Sequence, residues 1–170
     1  MNLWLYITHL ILFAGIYDFT IPSATGDVIN INDYRGKKIL IVNIATSSHF
    51  ASQLGNLETL YQRHKDSLTI IAIPSNSFTK EPLSDQQIQE TLKNKYHTHY
   101  LVAAKSTVSG YTQLPLYKWL TQIENNGVVN NPVNADFQKF LINKKGAIVG
   151  IFSSTTDPLA KELENAIINN

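Results

Sequence analysis

The 170-residue sequence predicts an α/β domain with a central mixed β-sheet flanked by helices and an N-terminal β-hairpin. Three observations carry this. Ile39-Leu40-Ile41-Val42 is a continuous, branched apolar run, the pattern of a strand covered on both faces, and Leu68 to Pro74 reads as a second buried strand. Between them Leu54, Leu57, Leu60 and Tyr61 recur at helical spacing. In the last third, two apolar runs flank Asn143-Lys144-Lys145-Gly146 as a hairpin, and an amphipathic helix follows.

Taken in order, residues 1–15 form a hydrophobic leader and residues 16–170 the domain. Leu3 to Ile16 is almost unbroken apolar sequence, too short for the roughly 20 residues that span a bilayer. Its length suits the apolar stretch of a secretory signal, with Ala14 and Gly15 near a cleavage point, which implies an extracytoplasmic (periplasmic or secreted) protein. Met1-Asn2 carries no basic residue, and an extra apolar strand or helix packed on a cytoplasmic domain is the alternative. Any membrane contact is expected only through residues 3–16.

Tyr17 to Ile21 and Val28 to Ile31 read as the N-terminal hairpin around Ala24-Thr25-Gly26-Asp27, and Asp33 to Lys37 as the turn before the first core strand, Lys38 to Ala45. A helix is expected from about Gln53 to His64. A second, capped by Ser84 with Gln87 three residues on, runs to about Tyr96. Tyr100-Leu101-Val102 is a short strand, and Leu114 to Ile123 a short helix led by Pro115. Trp119, beside Leu116 and Leu120, is core packing, whereas Asn125-Asn126-Gly127 and Asn134 beside Asp136 read as loop chemistry. Phe137 to Ile142 and Ala147 to Phe152 form the late hairpin. A final helix begins near Asp157-Pro158 and buries Leu159, Leu163, Ala166 and Ile167. This order is that of a thioredoxin-like domain, although alternation by itself also fits other small three-layer α/β folds.

Fourteen basic and thirteen acidic residues leave a net charge of +1 without a basic stripe, so no nucleic-acid partner is expected. There is no cysteine, which rules out disulfides, thiolate metal sites and cysteine nucleophiles. No cofactor and no metal site are expected. His97 and His99 form an H-x-H pair that could turn both imidazoles to a metal, with Asp85 and His64 the nearest thoughts for further ligands; a solvated loop or strand end is the simpler reading. Ser48 and His49 could be a nucleophile and its base, but adjacent loop residues rarely face one another. Ser75 and Ser77 flank Asn76 in a loop expected near Ser48, so a polar, hydroxyl-lined pocket is plausible.

Ile41 to Phe50, Ile-Val-Asn-Ile-Ala-Thr-Ser-Ser-His-Phe, resembles the active-site strand and loop of the glutathione peroxidase family, roughly V-N-V-A-S-x-C-G-F. Similar segments follow in order. They are Ile16 to Phe19 at the domain start, Leu57-Glu58-Thr59-Leu60-Tyr61, Ile73 to Phe78, Glu81-Pro82, Lys95-Tyr96, Pro115 to Lys118, and Phe137 to Ile142. The resemblance implies a thioredoxin-like fold and a peroxidase, active in oxidative stress, that uses a cysteine or selenocysteine, a glutamine, a tryptophan and an asparagine. The matching positions here are Ser48, Ser77, Ala135 and Asp136, so all four differ. The resolving cysteine of the thioredoxin-dependent branch matches Leu92, and a family proline matches Leu101. A serine oxygen cannot cycle through sulfenic or selenenic states. Ala135 offers no indole N–H, and Asp136 puts a negative acceptor where an amide donor is expected. The expectation is therefore an inactive homologue acting as a binding or interaction module for a protein or small molecule. The alternative is an enzyme with unrecognised chemistry around Ser48, Ser75, Ser77 and Asp136.

Overall fold

A computed structural model describes residues 14–170. The leader assigned to residues 1–15 thus lies almost wholly outside the described residues. A five-stranded mixed sheet forms the centre, in the order β5-β4-β3-β6-β7. Its strands are β3 (Lys38–Ile44), β4 (Leu68–Pro74), β5 (Leu101–Val102), β6 (Lys139–Ile142) and β7 (Ile148–Phe152). β3, β4 and β5 run parallel; β6 joins the other edge of β3 antiparallel to them, and β7 pairs antiparallel with β6 and so runs in the direction of β3 again.

Every residue of β3 and of β4 is buried, the polar Lys38, Asn43 and Thr69 among them, as expected of strands rich in branched apolar residues and covered on both faces. Side chains alternate between two cores. Leu40, Val42, Ile44, Ile70 and Ala72 pack under α1 (Gln53–His64), α2 (Asp85–Tyr96) and α5 (Lys161–Asn169). Ile39, Ile41, Ile71, Ile73 and Phe140 face the hairpin and α3 (Pro115–Thr121), whose Trp119 is buried there as the sequence suggests. Full burial of each such aliphatic side chain contributes about 1.5–3 kcal/mol, so this double-sided sheet is the main source of cohesion.

The hairpin strands β1 (Thr20–Pro22) and β2 (Val28–Asn30) make a separate two-stranded sheet. A single antiparallel bridge, Ser23 to Ala103, ties it to the central sheet beyond β5. The flanks read from sequence as strand, Tyr17-Asp18 and Ile31, lie instead in short 3-10 turns at Ile16–Asp18 and Ile31–Tyr34. The Asp18 carboxylate accepts from the Gly15 N–H and Asn30 Oδ1 from the Asn32 N–H, local bonds that compete with strand pairing.

Three other boundaries differ from expectation. The short helix breaks at Gln122, which is extended, and a second turn, α4 (Ile123–Asn126), resumes because Asn130 Oδ1 accepts the freed Ile123 N–H. Asn125 and Asn126, expected in a loop, are therefore helical. The last helix starts at Lys161 rather than near Asp157-Pro158. Asp157 is occupied otherwise: Oδ1 accepts from Leu159 N–H and Oδ2 from Asn56 of α1. Lastly, β6 begins at Lys139, not Phe137, since Phe137 sits at φ +64°.

The β6–β7 turn packs back onto the first 3-10 turn. Tyr17 donates its hydroxyl to Lys144 O, and Gly146 (φ +86°) presses on the same ring, so that a Cβ there would lie 2.7 Å from Tyr17 Cε2. Gly146→Ala is expected to lower stability by about 1–3 kcal/mol, combining positive-φ strain with displacement of Tyr17. Chemical denaturation measures it; an unchanged midpoint would show that the turn does not need glycine.

Candidate functional site

The parallel strands β3 and β4 end level, at Ile44 beside Pro74, and their loops leave the sheet side by side. In open α/β sheets this carboxyl-terminal end is where sites form. Three hydrogen-bonded ties build it here. Ser75 N–H donates to Ile44 O at 2.9 Å, and Ser47 N–H donates to Lys80 O at 3.1 Å. The fully buried Glu81 is the third: Oε2 accepts the Thr46 N–H at 2.6 Å, while Oε1 accepts the Thr46 hydroxyl at 2.8 Å and the Leu83 N–H at 3.3 Å.

A further segment, residues 134–137, is laid against this end by Asn43 of β3. Asn43 Nδ2 donates to Ala135 O, and Asn43 O accepts the Phe137 N–H at 2.6 Å. Phe137 is held at positive φ, and Lys139 supplies the second hold: its fully buried ammonium donates to Phe137 O at 2.7 Å. Burial pushes the Lys139 pKa down to about 8, partly offset by the Asp157 carboxylate. A lysine inside the apolar strand Phe137–Ile142 was the sequence signal for this clamp, and Glu81 in its Glu-Pro pair the signal for the other.

Asp136 thereby comes to lie beside Ser48, only 4% exposed. Its carboxyl pKa is raised chiefly by burial; the hydrogen bond with Ser48 opposes the shift, Glu81 adds to it and Lys80 opposes it. Asp136 Oδ1 has no hydrogen-bond partner among the described residues. Ser48 precedes α1 in a pair of turns, and its hydroxyl oxygen also accepts the Phe50 N–H at 3.3 Å. Phe50 and Phe137, tilted rings 6.4 Å apart, close the apolar side.

The other sequence-selected residues go elsewhere. The fully buried Ser75 donates its hydroxyl to Ser77 Oγ at 2.9 Å, and Ser77 Oγ also accepts the Val108 N–H; Ser77 lines a cleft of about 510 Å³ with Asn76, Lys105, Ser106, Thr107, Ser109 and Gly110. No hydrogen bond joins the Ser75–Ser77 pair to Ser48 or Asp136 among the described residues, and the single hydroxyl cluster expected from sequence resolves into two pairs. Ala135 lines a different cleft with Ser153 and Ser154. His49 is exposed and makes no hydrogen bond to Ser48. Leu92 is on the inner face of α2, buried in the core, and Leu101 opens β5.

His97 and His99 are not on a strand. His97 ends α2 in the left-handed conformation, while His99 is paired to Glu58, a partner the sequence did not suggest. Asp85 accepts the Lys105 N–H and His64 lies 3.8 Å from Glu164, so neither joins the histidines. Among the described residues no three His, Asp or Glu side chains gather as metal ligands.

Asp136 has a directional consequence. Its folded pKa is above the unfolded value, so the contribution of Asp136 to stability is fully present below the ordinary carboxylate range, about 4, and is lost as pH rises through the higher folded value. Asp136→Asn is expected to be more stable than the native chain at neutral pH, the advantage vanishing under acid. Denaturant midpoints at the two pH values test this, and an acid-side gain would contradict it.

Against known proteins, the family model described as glutathione peroxidase matches residues 16–121. A probable phospholipid hydroperoxide glutathione peroxidase of Nicotiana sylvestris is 35% identical over 151 residues, 87% of this chain and 89% of that protein. Glutathione peroxidase 1 of Caenorhabditis elegans is 33% identical over 161 residues, 91% and 97% of the two chains. Among solved structures, that of Trgpx in apo form superimposes with a TM-score of 0.70 at 29% identity, covering 91% of this chain and 94% of that one. A thiol:disulfide interchange protein of Chlorobium tepidum, with a TM-score of 0.64, 13% identity and coverage of 88% and 90%, shares the thioredoxin-like fold. The buried parallel strands, the loops at their carboxyl ends and these likenesses agree: the chain belongs to the glutathione peroxidase family.

Proposed function

We propose that this member of the family does not turn over peroxide and serves as a binding or interaction module. The observation that carries the reading is the complete absence of cysteine from the chain, with Ser48 at the position that the family resemblance gives to the nucleophile. Peroxide reduction needs an atom that accepts oxygen and is then reduced. An alcohol oxygen has no such oxidation ladder, and its proton stays on at neutral pH.

The surroundings support the same reading. A peroxidatic thiolate is helped by donors and positive charge, whereas Ser48 has a carboxylate beside it. Ser77, Ala135 and Asp136, at the other positions the resemblance assigns, supply a hydroxyl turned to Val108, a methyl and an acceptor. Leu92, at the resolving position, cannot form a disulfide. What remains is a folded frame with polar clefts and no thiol to carry a redox cycle.

Peroxide consumption by the purified protein, with glutathione and separately with thioredoxin as reductant, tests the proposal. No turnover above buffer is expected from the native chain. Ser48→Cys, run beside it, is expected to stay orders of magnitude below an active family member, because Asp136 raises rather than lowers the pKa of a neighbouring thiol. Metal-free turnover by the native chain would overturn the reading.

The apolar leader adds a location. We propose export from the cytoplasm, with removal of residues 1–15. N-terminal sequencing of the protein from its native cells is expected to start near Gly15 or Ile16; a chain that starts at Met1 would refute it.

A further inference from the structure

A cleft of about 700 Å³ opens at the β5 edge of the sheet, between the end of α2, residues 97–100 and the hairpin loop. It is not at the Ser48 end. The chain enters β5 here, at Tyr100 and Leu101, whereas Ser48 and Ser75 lie where the parallel strands β3 and β4 finish. Its volume is in the range of small-molecule sites, about 300–1,000 Å³.

All the titratable side chains that line the cleft are basic apart from the Tyr100 phenol: Lys93, His97 and His99. Nearby carboxylates are turned to other work. Asp27 accepts the Thr25 hydroxyl from within the hairpin loop. Glu58 of α1, buried behind the cleft wall, accepts from Gln62 Nε2 at 2.7 Å, from the His99 N–H at 2.8 Å and from His99 Nδ1 at 2.8 Å. Burial raises the Glu58 pKa, but these bonds outweigh it and hold the group below its ordinary value. An ionised carboxylate only accepts, so Nδ1 must be the donor.

That pairing fixes the ring. His99 is anchored through Nδ1 while its side chain stays 65% exposed, which leaves Nε2 as the ring atom that can meet a ligand. Asn94 adds an amide and Ser23 and Thr25 add hydroxyls, while Leu101 and Val102 supply an apolar wall. The ends of α2 that would repel an anion are covered: Leu92 O and Lys93 O accept from the His97 and Thr98 N–H groups, and the Thr98 hydroxyl also reaches Leu92 O. A cation site would need more ligands than two histidines.

We propose that this cleft binds a small anionic molecule, one with a carboxylate or phosphate carried on an apolar body. Lys93 and the Glu58-anchored His99 meet the charge, the hydroxyls and Asn94 complete its hydrogen bonds, and Leu101 and Val102 take the apolar part. The inference goes beyond the binding-module reading and does not depend on whether Ser48 is inert.

The test is an amide NMR titration of the full chain with phenyl phosphate, benzoate and, as a charge control, benzylamine. Both anions are expected to give saturable shifts confined to residues 23–25 and 93–102, and benzylamine none. The tighter anion identifies the natural headgroup as phosphate or carboxylate. Lys93→Ala, an exposed change that keeps the native spectrum, should weaken binding about tenfold, as loss of a charge-assisted contact does. His99→Ala should do likewise, and Glu58→Gln by a smaller factor through the loosened ring. The proposal fails if the anions shift nothing, if they shift only the Ser48 loops, if benzylamine binds equally, or if Lys93→Ala changes nothing. Peroxide turnover is a separate readout, so either conclusion can fall without the other.

Discussion

The buried carboxylate of Glu81 is the constraint on which the site end of the molecule depends. Two loops leave neighbouring parallel strands there, and exposed loops of that kind otherwise drift independently. Glu81 stops this by collecting the Thr46 N–H and hydroxyl from one loop while its own N–H donates to Asn76 Oδ1 in the other. A carboxylate without exposure is tolerable only when its lone pairs are filled, and the pair of bonds to Thr46 and the one to Leu83 fill them. Removing it would leave a buried N–H without a partner as well as releasing the loops. Ser48, three residues beyond Ala45, inherits its place from that clamp.

A second clamp, on the opposite edge of β3, is ionic in a different way. Lys139 is buried with a single acceptor among the described residues, Phe137 O, and Asn43 grips the same turn from β3. Together they keep Phe137 in a backbone conformation that a bulky residue avoids, and this aims Asp136 at Ser48. Rigid scaffolding thus surrounds Ser48 and Asp136. Pre-ordered groups of this kind lose less freedom when a ligand arrives.

The sheet was legible in the sequence because its signal is dense. Two strands dominated by branched apolar residues, a helix with leucines at helical spacing and the Ser84-Gln87 cap each fix their element locally, and Gln53–His64, Leu68–Pro74 and Asp85–Tyr96 fall where the pattern puts them. Boundaries went astray where one side chain overrides propensity, as Asp157 does by bonding Leu159 and Asn56 ahead of the last helix. The site was legible only in part. The family resemblance groups Ser48, Ser75, Ser77 and Asp136 around one pocket; Asp136 does lie beside Ser48, whereas the Ser75–Ser77 pair bonds to the Val108 N–H instead. The Glu58–His99 pair joins residues 41 positions apart, a separation at which local patterns say nothing.

The register of β3 has a consequence for how the protein is made. One edge of this central strand pairs with β4 close behind it, but the other waits for β6, with Ile39 opposite Ile142, about a hundred residues later. During synthesis, then, a fully buried central strand of the molecule stands with an open edge until nearly the whole chain has emerged. Such an edge invites pairing with a neighbouring nascent chain. Folding of this protein is consequently a race settled at its C-terminal end, and a truncated chain that lacks residues 139–142 exposes the strand permanently.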